Sequence, residues 1–211
     1  MDDSRLLEVL ERSRSLGFLG PGSVRVHLDH AAGFAAGMER APMRFLDLGS
    51  GGGVPGLVLA RRWPESQAVL LDARERRCTF LQDAAQDLRL GERVTVEWAR
   101  AEEAGHRDDL RGHFDVVVAR GFGPPAVTAE CGSPFLRVGG MLAVSEPPPD
   151  DDVVAVAEAS DRWSATGLAR LGLVVGGSWT RGYRYQALDQ AEPCPQQYAR
   201  RPGIPAKRPL F

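Results

Sequence analysis

A glycine-rich loop is the part of the sequence best suited to holding a ligand. The segment FLDLGSGGGVPGLVLA covers residues 45–60 and carries one acidic side chain, that of Asp47. The loop glycines are Gly49, Gly51, Gly52 and Gly53. Because glycine has no Cβ, it tolerates positive φ angles and lets a ligand approach the backbone closely. Ligands of open α/β sheets bind where a strand ends and a helix follows, and the apolar run before this loop has that pattern.

Two classes of ligand fit the loop. Gly51, Gly53 and Gly56 satisfy the GxGxxG spacing of dinucleotide sites, as in NAD-binding proteins. Asp47 favours S-adenosylmethionine (SAM) instead. A carboxylate at this place can hold the loop or, through water, the cationic amino-acid end of SAM, whereas it would repel a pyrophosphate. The helical pattern of residues 1–42, which precede the loop, also favours SAM.

Two further strand ends supply candidate cofactor residues. Asp72 ends the apolar run QAVLLD, where a carboxylate can accept both ribose hydroxyls of SAM or NAD. It can also cap the helix that follows. After the run RVTVEW, backbone groups of Ala101 and Glu102 would meet the adenine, although the Glu102 side chain could equally belong to a solvated surface.

Arg120 is the candidate for positioning the reaction, because it directly follows the fourth apolar run, FDVVVA. It can hold the SAM carboxylate, a phosphate or a guanine edge, or it can be an exposed arginine at a strand end. Phe122 nearby could stack on a base or be a buried loop aromatic. This strand end has neither the D/N-P-P-Y/F motif of amine-modifying methyltransferases nor the Pro-Cys nucleophile of cytosine-C5 methyltransferases, and no general base is recognisable here. An acceptor with a free lone pair, such as guanine N7, would need only positioning.

The elements that position these residues follow from the hydrophobic period. Residues 1–42 predict an N-terminal helical segment packed on the core, and residues 43–190 predict a SAM-binding domain in which strands alternate with helices. This pattern predicts a doubly wound, Rossmann-like α/β sheet of seven strands, the last two forming an antiparallel pair. Residues 191–211 predict a basic, Pro-rich, extended tail. Together these segments predict one class I SAM-dependent methyltransferase domain.

Composition narrows the class of protein. With 211 residues, 43% of them hydrophobic, the chain can build a single sizeable core. A formal net charge of −2 does not impose a large basic face. The three cysteines have no metal-ligand spacing, so we expect no metal site and a reducing, cytoplasmic location. No signal peptide or membrane span is recognisable, and the sequence leaves the oligomeric state open.

Five segments together resemble the RsmG (GidB) family of bacterial small-subunit rRNA guanine-N7 methyltransferases. They are DLGSGGGVPGLVLA, LLDARERRCTFLQ, ARAEE, VVVARGF and the tail YARRPGIPAKRPL. The resemblance implies SAM contacts at Gly49, Val54, Ala101, Glu102 and Arg120. It also implies a guanine in 16S rRNA as the acceptor and assembling small ribosomal subunits as the partner.

The sequence departs from that family at three points. Ser145 and Glu146 stand where the family usually has a lysine-glycine pair, and its usual Asn-Leu-Thr segment is not recognisable. The acidic stretch Asp150–Asp152 would repel a phosphate backbone. Positive charge facing RNA would therefore come from arginines and a lysine that could also be ordinary solvated surface. They are Arg61, Arg62, Arg74, Arg76, Arg77, Arg200, Arg201, Lys207 and Arg208.

Three other functions compete with this one. The chain could be a small-molecule methyltransferase on the same scaffold, which a closed apolar pocket would favour. It could be a non-catalytic SAM-binding protein, which a blocked acceptor side would reveal. An NAD-dependent reductase is the remaining alternative.

Overall fold

The computed structural model describes residues 3–147 and 162–211. Its strands are β1 (Arg44–Leu48), β2 (Gln67–Asp72), β3 (Val94–Trp98), β4 (Phe114–Ala119), β5 (Leu136–Ser145), β6 (Leu173–Arg181) and β7 (Tyr183–Gln190). The helices are α1 (Ser4–Ser15), α2 (Val24–Ala36), α3 (Gly56–Arg62), α4 (Glu75–Asp87), α5 (Ala101–Ala104), α6 (Pro125–Gly132), α7 (Ala165–Ala169) and α8 (Ile204–Lys207). A 3₁₀ turn, Ser133–Phe135, joins α6 to β5.

The strands form one sheet in the order β3-β2-β1-β4-β5-β7-β6. Strands β1 to β5 run parallel, and β7 lies antiparallel between β5 and β6. The doubly wound fold with a final antiparallel pair is therefore confirmed. Chain order reverses between β1 and β4, and in such sheets ligands bind at the carboxyl ends of the strands beside that reversal.

Each face of the sheet carries its own apolar core. On one face the strands pack against α1, α2, α3 and α4, with Phe34, Phe45 and Leu57 fully buried. On the other face they pack against α5, α6, α7 and the segment after β7, with Phe114 and Phe135 fully buried. Burial on both faces explains why β1 and β4 read as continuous apolar runs in the sequence.

Helix α2 is fixed against the β6–β7 pair by two long-range hydrogen bonds. The Tyr185 hydroxyl donates to the His30 carbonyl (2.7 Å) and the Trp179 indole N–H donates to the Gly33 carbonyl (2.8 Å). Gly33 permits this approach, because a Cβ there would collide with the Tyr185 ring. The N-terminal helices are thus part of the same packed body as the sheet.

Several predicted boundaries were wrong. The apolar period of residues 73–90 predicts a helix that stops at Gly91, but α4 ends at Asp87 because Arg89 adopts a left-handed φ of 57°. The sequence also predicts a helix over residues 125–136, and this helix gives way to the 3₁₀ turn at Ser133. The tail is not wholly extended, since it contains α8.

The sequence also predicts a helix over about residues 160–170. The start of this helix and the acidic stretch Asp150–Asp152 lie outside the described residues. Across 3–147 and 162–211, no helix combines the length and apolar character needed to cross a membrane.

Candidate functional site

The glycine loop after β1 is held by hydrogen bonds within the protein. The N–H groups of Gly49 and Ser50 both donate to the Leu71 carbonyl at the end of β2 (2.9 Å each). From α1, the Ser13 hydroxyl donates to the Gly52 carbonyl (2.9 Å). Gly49 (φ 73°) and Gly51 (φ 55°) adopt left-handed angles that other residues reach only with strain. The loop is therefore a rigid turn over the ends of β1 and β2.

Asp47 lies under the loop and is 1% exposed. Its Oδ2 accepts the Gly56 N–H at the start of α3 (2.9 Å). Its Oδ1 is buried and has no hydrogen-bond partner. Burial, with a smaller contribution from the nearby Asp72, raises the pKa of Asp47 to about 7 against the lowering effects of the Gly56 N–H, Ser50 and Arg120. A buried carboxylate oxygen without a partner is costly, so a ligand donor at Oδ1 would stabilise the site.

The backbone N–H groups of the three glycines in the GxGxxG pattern already donate hydrogen bonds within the protein. The Gly51 N–H donates to Asp72 Oδ2 (2.9 Å), that of Gly53 to the Ser50 carbonyl (2.8 Å), and that of Gly56 to Asp47. A dinucleotide loop instead presents free amides to the pyrophosphate. Two carboxylates occupy that place here, which argues against the NAD alternative on physical grounds.

Asp72 ties the loop to the start of α4. Its Oδ1 accepts the Arg74 N–H (2.9 Å), and its Oδ2 lies 3.5 Å from Arg77 Nη1 as well as accepting from Gly51. The N-cap of α4 is Arg74, so the alternative in which Asp72 is the formal cap is wrong. Carboxylate oxygens have more than one acceptor site each, so capacity for ribose hydroxyls remains.

The first of two cavities at this edge of the sheet has a volume of about 90 Å³. We call it the adenosine cavity, after the part of SAM that we propose for it below. Four of the candidate cofactor residues line it: Gly49, Asp72, Ala101 and Glu102. The remaining candidates do not. Gly51 belongs to the loop but does not line the cavity, Asp47 is buried, and the Val54 side chain is packed in the core. Any contact of Val54 with a ligand would therefore use its backbone.

Glu102 is buried, so the alternative of a solvated surface side chain is wrong. Its Oε1 accepts the N–H of Gly203 in the tail (3.0 Å) and lies 3.3 Å from Arg100 Nη2. Burial would raise the pKa of Glu102, but the Gly203 N–H and the Arg100 guanidinium outweigh it and hold the pKa below its usual value. No feature of the sequence indicates that the tail reaches this side chain.

Arg120 lines the second cavity, which has a volume of about 300 Å³. We call it the acceptor cavity. Arg120 Nη2 lies 2.7 Å from His27 Nδ1 on α2, and His27 Nε2 lies 3.1 Å from the Gly20 carbonyl. A guanidinium can only donate, so Nδ1 accepts and Nε2–H donates to Gly20. Burial, and secondly Arg120, lower the pKa of His27 and favour this neutral form.

A second histidine of α2, His30, also lines the acceptor cavity. Its ring stacks on Tyr183 with centroids 3.9 Å apart, and its Nε2 is buried without a partner. Burial lowers the pKa of His30 to about 4, and Arg120 and His27 contribute to this. The sequence showed no base at this strand end. The structure brings in an imidazole from another element, but one whose low pKa makes it a poor proton acceptor at neutral pH.

Phe122 lines both cavities and therefore lies between them. Its ring covers Gly49 closely, since a Cβ added at Gly49 would lie 2.7 Å from Phe122 Cδ2. Among the described residues, no group of three or more His, Cys, Asp or Glu side chains could hold a metal ion. All three cysteines are buried free thiols.

The predicted RNA-facing cations divide into two sets. Three are engaged with carboxylates: Arg61 with Asp3, Arg77 with Asp72, and Arg200 with the fully buried Glu130. Six are exposed, namely Arg62, Arg74, Arg76, Arg201, Lys207 and Arg208. An aromatic side chain that the sequence did not single out, Trp98, ends β3 and pairs with Asp72 at the end of β2, two residues before Arg74. It is 60% exposed and donates its indole N–H to the Ala73 carbonyl at the rim of the adenosine cavity.

Comparison with known proteins identifies the family. The family model described as rRNA small subunit methyltransferase G (GidB) matches residues 24–157. The chain belongs to this family. It is 35% identical over 169 residues to a ribosomal RNA small subunit methyltransferase G of Moorella thermoacetica, covering 79% of this chain and 69% of the relative. It is 36% identical over 171 residues to the protein of that name from Roseiflexus castenholzii, covering 81% and 72%.

Solved structures agree with the fold of this family member. A cofactor-bound protein from MTB, Rv0187, superposes with a TM-score of 0.60 at 19% identity, covering 90% of this chain and 92% of that one. A SAM-dependent O-methyltransferase from Thermotoga maritima gives 0.54 at 17% identity, covering 86% and 71%. Fold and family together make the chain a class I methyltransferase whose cofactor is SAM. The resemblance to the RsmG family is confirmed.

Proposed function

We propose that this methyltransferase transfers the methyl group of SAM to N7 of a guanine in 16S rRNA, acting on the assembling small ribosomal subunit in the cytoplasm. The names of its relatives support a ribosomal RNA acceptor. The observation that carries the proposal is the pair of cavities that share Phe122, one lined by four of the candidate cofactor residues and the other by Arg120.

The residues of the first cavity suit SAM. Gly49 leaves room beside Phe122, Asp72 offers acceptors for ribose hydroxyls, and the backbone at Ala101 and Glu102 would meet the adenine. The buried Asp47 Oδ1 would gain a partner from the cationic amino-acid end, directly or through water. When bound, SAM supplies an electrophilic methyl group on a sulfonium. Because Asp47 would compensate that ligand's charge, Asp47→Ala should abolish SAM binding in calorimetry while the protein stays folded.

The acceptor cavity fits a reaction that needs no proton removed. Guanine N7 has a free lone pair, so the protein has only to hold the base in line with the methyl group. Arg120, fixed by the neutral His27, can position a guanine edge, a phosphate or the SAM carboxylate. The neutral His30 adds an aromatic face beside it. This arrangement positions the reacting groups without supplying a strong base.

The surface around the adenosine cavity fits single-stranded RNA. Exposed Trp98 offers a face for base stacking, and it pairs across the sheet with Asp72, two residues before Arg74. Arg74, Arg76 and Arg100 are exposed. Aromatic platforms flanked by cations bind single-stranded nucleic acid with little dependence on sequence. Such a local patch makes the small negative net charge compatible with an RNA substrate.

Methyl transfer from labelled SAM tests the proposal. The acceptors are 16S rRNA and small subunits from cells that lack this gene, and the labelled base is then mapped. We expect label at N7 of one guanine. Arg120→Ala should greatly reduce this label, and Arg5→Ala, at an exposed position of α1, should retain it. Absence of label, with SAM binding shown in the same preparation, would instead indicate a small-molecule acceptor or a non-catalytic SAM-binding protein.

A further inference from the structure

The acceptor cavity contains a carboxylate that neither the cofactor site nor Arg120 explains. Glu146 follows β5 and lines this cavity together with Arg120, Phe122, His30 and Trp163. It stands where the RsmG family usually has a lysine-glycine pair. A cavity of about 300 Å³ with aromatic walls and a few polar groups is at the small end of ligand-binding pockets. Its chemistry should therefore indicate which ligand it takes.

Glu146 is held firmly. Its side chain is 11% exposed, its Oε1 accepts the Trp163 indole N–H (2.7 Å), and its Oε2 lies 3.1 Å from Arg162 Nε. Its backbone N–H donates to the Arg184 carbonyl (2.8 Å), which fixes the main chain as well. Each carboxylate oxygen can accept a second hydrogen bond. Glu146 is thus an oriented acceptor with capacity left for a ligand.

We infer that Glu146 recognises the Watson–Crick edge of the acceptor guanine. This rests on the proposed function and names the group that selects the base. Guanine presents two adjacent donors on that edge, N1–H and the N2 amino group, and a carboxylate offers two acceptors to match them. Adenine presents an acceptor, N1, at the same place and would be repelled. Cytosine and uracil lack the paired donors.

The same contact leaves the reacting atom free. N7 lies on the opposite edge of guanine from N1 and N2, beside O6, which is an acceptor. A base held by Glu146 therefore keeps its N7 lone pair available. Arg120, which can only donate, suits O6, and the rings of Phe122 and His30 suit the faces of the base. The charges and aromatic groups of the cavity are thus complementary to guanine.

A purely structural role predicts something different. If Glu146 only anchors Trp163 and Arg162, then Glu146→Gln should change activity on guanine and on inosine to the same extent, because neither contact involves the base. If Glu146 reads the base, the same change replaces one of two acceptors by an N–H donor facing guanine donors. Trp163→Phe is the complementary variant. It removes the indole N–H that Glu146 accepts and keeps the Glu146 carboxylate, so it disturbs the structural contact without removing the group that reads the base.

The test compares guanine with inosine, which lacks only the N2 amino group. Inosine is placed by ligation at the mapped acceptor position of 16S rRNA, and kcat/KM is measured for the full-length wild type, Glu146→Gln, Glu146→Ala and Trp163→Phe. SAM affinity, measured by calorimetry, reports folding of each variant. For the wild type we expect guanine to be preferred about tenfold or more, the value of one hydrogen bond to a charged group.

For both Glu146 variants we expect the preference to fall to about twofold or less, with SAM affinity unchanged, whereas Trp163→Phe keeps it. A wild type that does not distinguish the two bases, or a Glu146 variant that still does, overturns the inference. If one Glu146 variant loses SAM affinity, the comparison is made with the other Glu146 variant. Failure of the wild type to methylate any guanine refutes the proposed function instead, so the two failures are distinguishable.

Discussion

Acid pH should destabilise the protein through His30. The unfolded chain takes up a proton on this imidazole near its ordinary pKa of 6.5, whereas the folded protein does so only near pH 4. The pKa of His30 is lower in the folded protein than in the unfolded chain, so protonation favours unfolding. The contribution of neutral His30 to the free energy of unfolding is therefore complete above pH 6.5 and is lost as the pH falls towards 4. Between about pH 7.5 and pH 5, linkage gives a loss of about 2 kcal/mol in the free energy of unfolding.

Partial solvent exposure of the ring reduces that figure to about 1–2 kcal/mol. The groups facing His30 are His27, Arg120, Tyr183 and Tyr185. His27 has the same sign of shift, so it adds to the effect. The assay is urea unfolding followed by tryptophan fluorescence at both pH values.

His30→Phe is the matched variant, because it keeps a ring against Tyr183 and removes the titration. Between the two pH values, the free energy of unfolding of this variant should fall by about 1–2 kcal/mol less than that of the wild type. His113→Asn, at an exposed position, is the control and should behave as the wild type. Equal losses in the wild type and His30→Phe would refute the reasoning.

Four further predictions concern the site and its supports. Gly49→Val should abolish SAM binding in calorimetry, because its Cβ would collide with Phe122 and its φ is 73°. Arg120→Ala should weaken SAM binding or turnover about tenfold or more, by loss of a charged hydrogen-bonding group. Trp98→Ala should weaken RNA binding by about 1–3 kcal/mol in filter binding without changing SAM affinity. Glu130→Gln should cost about 3–5 kcal/mol in urea unfolding, because it breaks the buried pair with Arg200.

Controls exist for each of these changes. Phe122→Ala should restore part of the SAM binding lost in Gly49→Val, and no restoration would mean that backbone strain alone is responsible. Full activity of Arg120→Ala with rRNA would remove Arg120 from the site. Val174→Ala, another exposed apolar position, is the control for Trp98→Ala and should leave RNA binding unchanged. Normal stability of Glu130→Gln would show that the tail contributes little to folding.

The strands of the sheet and the glycine loop after β1 could be predicted from the sequence because they depend on local signals. Strands buried on both faces, such as β1 and β4, must be continuous apolar runs, and the loop glycines mark the turn between β1 and α3. Helix ends were less predictable. Arg89 takes a left-handed angle for which glycine would be the usual residue, so Gly91 was a misleading stop signal.

The acceptor side of the site could not be predicted from local sequence. His27 and His30 come from a helix far from Arg120 in the chain, and only the packing of α2 on β6 and β7 brings them together. Their spacing of three residues on one helix face was the available signal. The placement of Asp72, Ala101 and Glu102 was accessible because each follows a recognisable strand, but their contacts with SAM stay predictions.

The bond between Gly203 and Glu102 has a consequence for cooperativity. The chain leaves β7, crosses to the far side of the sheet and closes against the adenosine cavity through Gly203, while Arg200 is anchored on the buried Glu130. Opening of the tail would therefore remove the hydrogen-bond partner that orients Glu102, a side chain lining the adenosine cavity. A ligand that binds only the closed site stabilises it by mass action. SAM should accordingly slow hydrogen exchange at the Gly203 amide and protect the tail from proteases, so this segment reports cofactor occupancy from outside the cavity.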